Sequence, residues 1–291
     1  MYRKIITNFL GCVLGIAAAV SFAQEEPASR RADVVVSSGV EGGGYWSAGA
    51  RLHDVAAEMD LEVANHTSSG SLENLERLMD SSSPVNVAFA QADALQHYVN
   101  QHPGEARKLD ILESIGQECV FIVVGANSDI RNGKDLQEAG ELRLGIASAS
   151  SGIAFTFGYM ASHLPELADI KVVYGDTRSA MEHLDSAGAS VDAIMMVHRP
   201  RELSPEVDMA LSHPGRFHFV ELDAEGLDMV LANEREVYRS MNLAMPGVDA
   251  AVKTICVEGL MLANKQKLNG RQLNKLTELV NFHWMRVYAT P

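Results

Sequence analysis

The sequence predicts an α/β protein of two lobes with a ligand cleft between them. Three observations carry this. Short β-branched runs alternate with helical periodicity from Asp33 onward, the pattern of sheets covered by helices. A polar, turn-rich segment at 125–147 interrupts that rhythm before a fresh series begins. A strand-like run then returns at 251–266 and must find a sheet already formed. Two lobes with the chain crossing between them more than once satisfy all three.

Taken in order, the expected strands are DVVVS (33–37), LEVANH (61–66), VNVAFAQ (85–91), CVFIVVG (119–125), LRLGIAS (142–148), IKVVYG (170–175), VDAIMMV (191–197) and FHFVEL (217–222). Helical stretches fall between them. The segment 223–242, polar with spaced apolar residues, reads as a long helix, and Leu273, Leu276, Leu279 and Val280 recur at helical spacing near the C-terminus. The expected lobes are 24–128 with 247–291, and 129–246. Hinges are expected near Asn127 and Pro246. No internal repeat or low-complexity tract stands out.

The first residues have the layout of a secretory signal. Arg3 and Lys4 form a basic start, Phe9 to Val20 an apolar stretch, and Ser21-Phe22-Ala23 a small-residue cleavage site. That stretch is shorter than the roughly 20 residues a membrane span needs. Cys12 lies too early in it, behind a poor lipidation box, for a lipoprotein. Cleavage after Ala23 leaves 268 residues, removes two bases and no acid, and takes the net charge from −14 to −16. A soluble periplasmic protein is expected. So acidic a chain argues against nucleic-acid partners and anionic membrane surfaces, which select basic patches. Cys119 and Cys256 each lie in an apolar run and are expected to be buried free thiols. No CxxC or HExxH spacing suggests a metal, and no cofactor is expected.

Three turns share one design. Ser38 to Gly44, His66 to Leu75 and Ser148 to Phe155 each follow a strand and open a helix, bringing small hydroxyls and helix N-terminal N–H groups to the carboxyl edge of a sheet. That edge is where open α/β sheets bind ligands. The first two turns belong to one lobe and the third to the other, so an oxygen-rich ligand could be held from both sides. Nucleotide chemistry does not fit: the glycines of SGVEGGG do not fall as GxGxxG, and a P-loop ending is absent. A serine hydrolase using His66 or His198 as base remains a distant alternative, since no GxSxG elbow is present.

The order SGVEGGGYWSAGARL, TSSGSLEN, VAFAQADAL, then a crossover and GIASASSGIAFTF, resembles the TAXI family of TRAP transporter solute receptors over nearly the whole mature chain. The resemblance implies a type II-like periplasmic-binding-protein fold of the Venus-flytrap kind, no catalysis, a small organic solute and a TRAP membrane permease as partners. It also implies a ligand site. The family's glycine pair, aromatic pair and glycine fall on Gly42, Gly43, Tyr45, Trp46 and Gly49. Its second motif falls on Thr67, Gly70, Ser71 and Asn74, its Gln-x-Asp on Gln91 and Asp93, and its second-lobe motif on Ser151 and Gly152. Ser38 and Gly44 complete the first turn. Glu41 and Ile153 depart from the family pattern, and MPGVDAA lacks its late tyrosine. Glu41 would repel an anion unless a base offsets it; Arg51 and Arg199 are the candidates, Arg199 for bidentate carboxylate recognition. The expected ligand is a carboxylate or amino acid. An ABC importer or a sensor system could use the same fold.

Overall fold

A computed structural model of the chain describes residues 32–164, 167–186, 188–200, 204–245 and 251–288. The expected signal segment and Pro246 lie outside them.

The first half of the chain builds one end of a mixed sheet. Val34–Ser37 (β1) leads into helix Gly44–Ala57 (α1), Val63–His66 (β2) into Ser71–Met79 (α2), and Val87–Gln91 (β3) into Ala92–Gln101 (α3). β1 lies between β2 and β3 and runs parallel to both. The alternation of β-branched runs with amphipathic helices forces this winding, because each strand buries both faces only when helices cover them. Asn86, just ahead of β3, receives the Val35 amide on its carbonyl at 2.9 Å.

The long strand Leu109–Gly125 (β4) then crosses into the second half. There follow Gly133–Glu138 (α4), Arg143–Ile146 (β5), Gly152–His163 (α5), Lys171–Tyr174 (β6), Thr177–Glu182 (α6), Ala193–His198 (β7), Pro205–Ser212 (α7) and Phe217–Phe219 (β8). β5 pairs parallel with β6 and β7, while β7 and β8 pair antiparallel with β4. Tyr238–Leu243 (β9) joins the sheet against Val252–Asn264 (β10), which runs back through it, and Gly270–Tyr288 (α8) closes the chain. The resulting order is β2-β1-β3-β10-β4-β7-β5-β6, with β8 on β4 and β9 on β10.

The crossing strands divide their pairing. β10 pairs with β3 over Gly259–Ala263 and with β9 over Val252–Val257; β4 meets β7 only from Cys119 onward. The exchange of partners therefore falls between Gly116 and Cys119 in β4 and between Val257 and Gly259 in β10. A bulge beside Gly259 marks it.

One buried cluster runs through both halves, joining Leu75, Ala90 and Leu260 to Leu144, Phe157 and Met195. A second, with Leu52, Phe89 and Leu279, lies under α1 and α8, and a third, with Phe121, Met181 and Met196, under α6 and α7.

Two expectations are corrected. Residues 223–242 form turns and β9 rather than a helix: Gly226 and Glu234 take positive φ, and Leu227, Leu231 and Val237 are buried against the shared core. Cys119 and Cys256 are joined in a disulfide and are not free thiols. They stand opposite each other in the antiparallel register of β4 and β10.

Candidate functional site

The first two turns are tied to each other by backbone and side-chain bonds. The Ser68 amide donates to Gly39 O at 3.0 Å and the Ser38 amide to His66 O at 3.0 Å; the Ser38 hydroxyl donates to the same carbonyl at 3.2 Å. Asn74 is fully buried, and its whole amide is used within the protein. Its Nδ2 donates to Ser38 O and Phe89 O, each at 2.7 Å, and its Oδ1 accepts from the Ser37 hydroxyl at 2.6 Å. It thus fastens α2 to the ends of β1 and β3.

Gly42 has a φ of +80°, a conformation that glycine adopts without strain, and the exposed tip around Val40, Glu41 and Gly42 projects from the first turn. Gly43 caps α1 without a side-chain bond, leaving the helix start at Gly44 to its own backbone donors. The Tyr45 ring meets Phe89 edge-on, and Trp46 O accepts from Asn65 Nδ2 at 3.0 Å. Thr67 O accepts from Arg77 at 2.6 Å. Arg51 donates from Nε to Val287 O at 2.7 Å, which fixes it on α8.

The second and third turns meet across the two halves of the sheet. A Cβ on Gly70 would lie 3.6 Å from the Gly152 amide nitrogen, and one on Gly152 would lie 2.9 Å from Gln91 Oε1. A side chain at Gly70 would be strained by its φ of +143°, and one at Gly152 would displace the end of the Gln91 side chain. Ser71 Oγ accepts from the Gln91 amide at 3.1 Å, and Gln91 Nε2 reaches the Thr156 hydroxyl at 3.4 Å. Ser151 caps α5, its Oγ accepting from the Ala154 amide at 3.2 Å.

Asp93 is the centre of this seam. Fully buried at the start of α3, its Oδ2 accepts from Thr156 Oγ1 of α5 at 2.8 Å and from the Tyr238 hydroxyl of β9 at 2.9 Å, and its Oδ1 from the Ala94 amide at 2.7 Å. Burial raises its carboxyl pKa, and the three donors pull it back. Burial, then the Asp93 charge, raises the Tyr238 phenol well above its ordinary value. Tyr45 is raised likewise, by burial first and then by Glu118, with Arg199 opposing. Arg199, 8% exposed at the end of β7, stands over the Tyr288 ring at 6.0 Å.

The structure thus brings Gly70, Ser71, Gln91, Asp93 and Gly152 together in one seam, with Ser38 and Asn74 behind it. Tyr45 and Arg199 share an electrostatic neighbourhood with Glu118. The sequence reading missed Thr156, Tyr238, Glu118 and Tyr288. Thr156 follows Ser-Gly by one helical turn, a spacing that could have pointed to it; Tyr238 lay hidden in the segment read as helix.

Cavities also open away from the seam. One of about 590 Å³ lies in the second half between α6 and the face of β5 and β6, lined by Ile146, Val173, Tyr174, Asp176, His183 and Val191 among others. No group of three or more potential metal ligands occurs among the described residues, and no helix among them is long and apolar enough to cross a membrane.

No protein-family model matches the chain, and no curated protein matches it. Solved structures do match. The periplasmic sulfonate-binding protein SsuA from Methylobacillus flagellatus KT superposes with a TM-score of 0.51 at 12% identity, over 87% of this chain and 68% of that one. A TctC solute-binding protein from Polaromonas also gives a TM-score of 0.51 at 12% identity, over 91% of this chain and 86% of that one. At such identity the likeness establishes the fold: this is an α/β chain with the two-lobed fold of periplasmic binding proteins.

Proposed function

We propose that the chain is the extracytoplasmic receptor of a TRAP-type transporter, of the TAXI kind. It binds a small polar organic solute, a carboxylate or amino acid, between its lobes and delivers it to a membrane permease. In this reading the N-terminal segment directs the protein to the periplasm, and no residue is catalytic. The observation that carries the proposal is the meeting of turns from both lobes at one seam, where Gly70 faces Gly152 and Gln91 and Asp93 reach Thr156. A two-lobed protein that bonds its ligand-edge turns to each other is built to open and close there.

The site we propose comprises the N–H groups of Gly42 and Gly44, the hydroxyls of Ser38, Ser71 and Ser151, Thr67, Gly70, Gly152 and Gln91 as polar partners, and Tyr45 and Trp46 as an apolar wall; Gly43, whose N–H is donated to Val40 O at 3.0 Å, shapes the turn. Arg199 supplies the positive charge for a carboxylate. Asn74 and Asp93 serve it by holding the turns in place, since their polar atoms are engaged within the protein. The TRAP assignment rests on the order of the sequence motifs; an ABC importer could employ the same fold.

Thermal denaturation against a panel of small organic acids and amino acids tests the proposal. A bound solute at about 100 times its Kd adds roughly 2.7 kcal/mol, and Arg199→Ala should abolish that response while leaving a cooperative transition. If no member of the panel stabilises the protein, or if Arg199→Ala responds like the parent, the proposed site is wrong.

A further inference from the structure

The end of β10 lies against the end of α2, and one lysine joins them. Just beyond β10, Lys267 turns its side chain into the segment that follows α2. Its Nζ is within hydrogen-bond distance of four backbone carbonyls: Asp80 O at 2.5 Å, Val85 O at 3.0 Å, Ser83 O at 3.2 Å and Arg77 O at 3.3 Å. An ammonium has three N–H donors, so four acceptors are one more than directed hydrogen bonds can use. A shell of carbonyl oxygens is instead how a protein replaces the hydration of a cation. A base at a helix C-terminus meets that helix's last carbonyls; here Ser83 and Val85 lie beyond α2 altogether.

The shell takes its shape from bonds that do not involve the lysine. The Ser83 amide donates to Asp80 O and the Asn86 amide to Val35 O, each at 3.1 Å. The Val85 amide donates to Ser83 Oγ at 3.2 Å, and Asn264 Nδ2 to Leu78 O at 3.1 Å. The Asp80 carboxylate is engaged with Ser82, whose amide and hydroxyl each donate to Oδ1 at 2.8 Å. What faces the charge is therefore a set of neutral carbonyls, which suits a singly charged ion. Calcium sites draw on carboxylates and hold oxygens at about 2.3–2.6 Å, closer than three of these four.

We infer that segment 77–85 is a coordination site for a monovalent cation of ammonium or potassium size, and that Lys267 is its resident cation, fastening the last turn of α2 to the end of β10. If the side chain is cut back, a free ammonium or potassium ion should take its place. Because α2 begins at Ser71, in the second turn, the site secures the far end of the helix that carries this turn. Its role does not depend on the receptor reading above.

Thermal denaturation of Lys267→Ala at equal ionic strength in tetramethylammonium, potassium and ammonium chloride tests the assignment. In tetramethylammonium chloride, whose cation is too bulky for the shell, the variant should melt roughly 5–10 °C below the parent. Potassium or ammonium should recover at least half of that loss while leaving the parent where it melts in tetramethylammonium chloride. A variant that melts with the parent in tetramethylammonium chloride, or at one temperature in all three salts, overturns the inference. Should Lys267→Ala fail to fold in every salt, the parent decides. On brief treatment with acetic anhydride, Lys267 should be acetylated about tenfold more slowly than the exposed Lys134 and Lys171, and equal rates overturn the inference.

Discussion

The seam between the lobes and the crossing strands beneath it are built on opposite plans. At the seam, polar and specific contacts add to the shared apolar cluster that joins Ala92, Ala94 and Leu95 of α3 to Phe157 and Met160 of α5: one buried carboxylate, two hydroxyls, one amide and a pair of glycines. In the crossing, β4 and β10 pair along most of their length, bury Val120, Ile122, Val257 and Leu260, and carry the disulfide. The difference teaches where the molecule gives. A few hydrogen bonds, each worth about 1 kcal/mol net, can exchange with water or a ligand, whereas a stapled ladder with an apolar core stays intact. Under the receptor reading proposed above, opening would release the seam's hydrogen bonds and turn on the crossing as its pivot.

Breaking the pivot should cost most. The disulfide closes a loop of sequence separation 137, and the chain-entropy account gives about 4–5 kcal/mol for a loop of that size. Replacing both Cys119 and Cys256 by Ala should lower the denaturation midpoint accordingly, as read by urea titration. Next comes Asp93→Ala, which leaves the buried hydroxyls of Thr156 and Tyr238 without their acceptor. A loss of about 3 kcal/mol is expected, with hydrogen exchange accelerating at α3 and α5 before the β4–β10 ladder. Simultaneous release of both regions would erase the distinction between seam and pivot. Thr156→Val removes one of these bonds and should cost about 1 kcal/mol.

A smaller and sharper effect is expected from pH. The folded protein raises the Asp93 pKa through burial, so the native state holds this proton more tightly than the unfolded chain. Its contribution to stability is then present at low pH and declines as pH rises from the ordinary carboxylate value of about 3.9 through the raised one. The groups that face it are the Thr156 and Tyr238 hydroxyls and the Ala94 amide, with Tyr45 and Tyr159 within electrostatic reach. Asp93→Asn should flatten that part of the stability curve. An unaltered slope would mean that Asp93 titrates as an exposed carboxylate does.

Much of the fold was legible in the sequence because local pattern and tertiary structure agree there. Each run expected as a strand lies on an observed one, and Ser151 caps α5 as the turn chemistry predicts; α2 is capped by Gly70 rather than by Ser71, whose hydroxyl accepts from the Gln91 amide instead. The rest failed for identifiable reasons. The first half of β4 carries Asp110, Glu113 and Glu118 among its apolar residues, so its pattern reads as polar; pairing with β10 makes it a strand. Tyr238 and its neighbours have helical spacing, but β9 forms because the edge of β10 is there to receive it. The cysteine pairing was hidden because it depends on the register of strands far apart in sequence. For the site, the turns could be found from their residues and Thr156 from its spacing after Ser-Gly, whereas Tyr238 and Tyr288 could not: what matters in each is its partner in another element.

Hydrogen-exchange mass spectrometry of the protein, with and without a solute that raises its melting temperature, tests the central claim most directly. The account predicts added protection at the turns around Gly42–Tyr45, Gly70–Asn74 and Gly152–Thr156 together, because one ligand between the lobes contacts all three. Protection confined to the cavity under α6, around Tyr174–Val191, with the three turns unchanged, would contradict it.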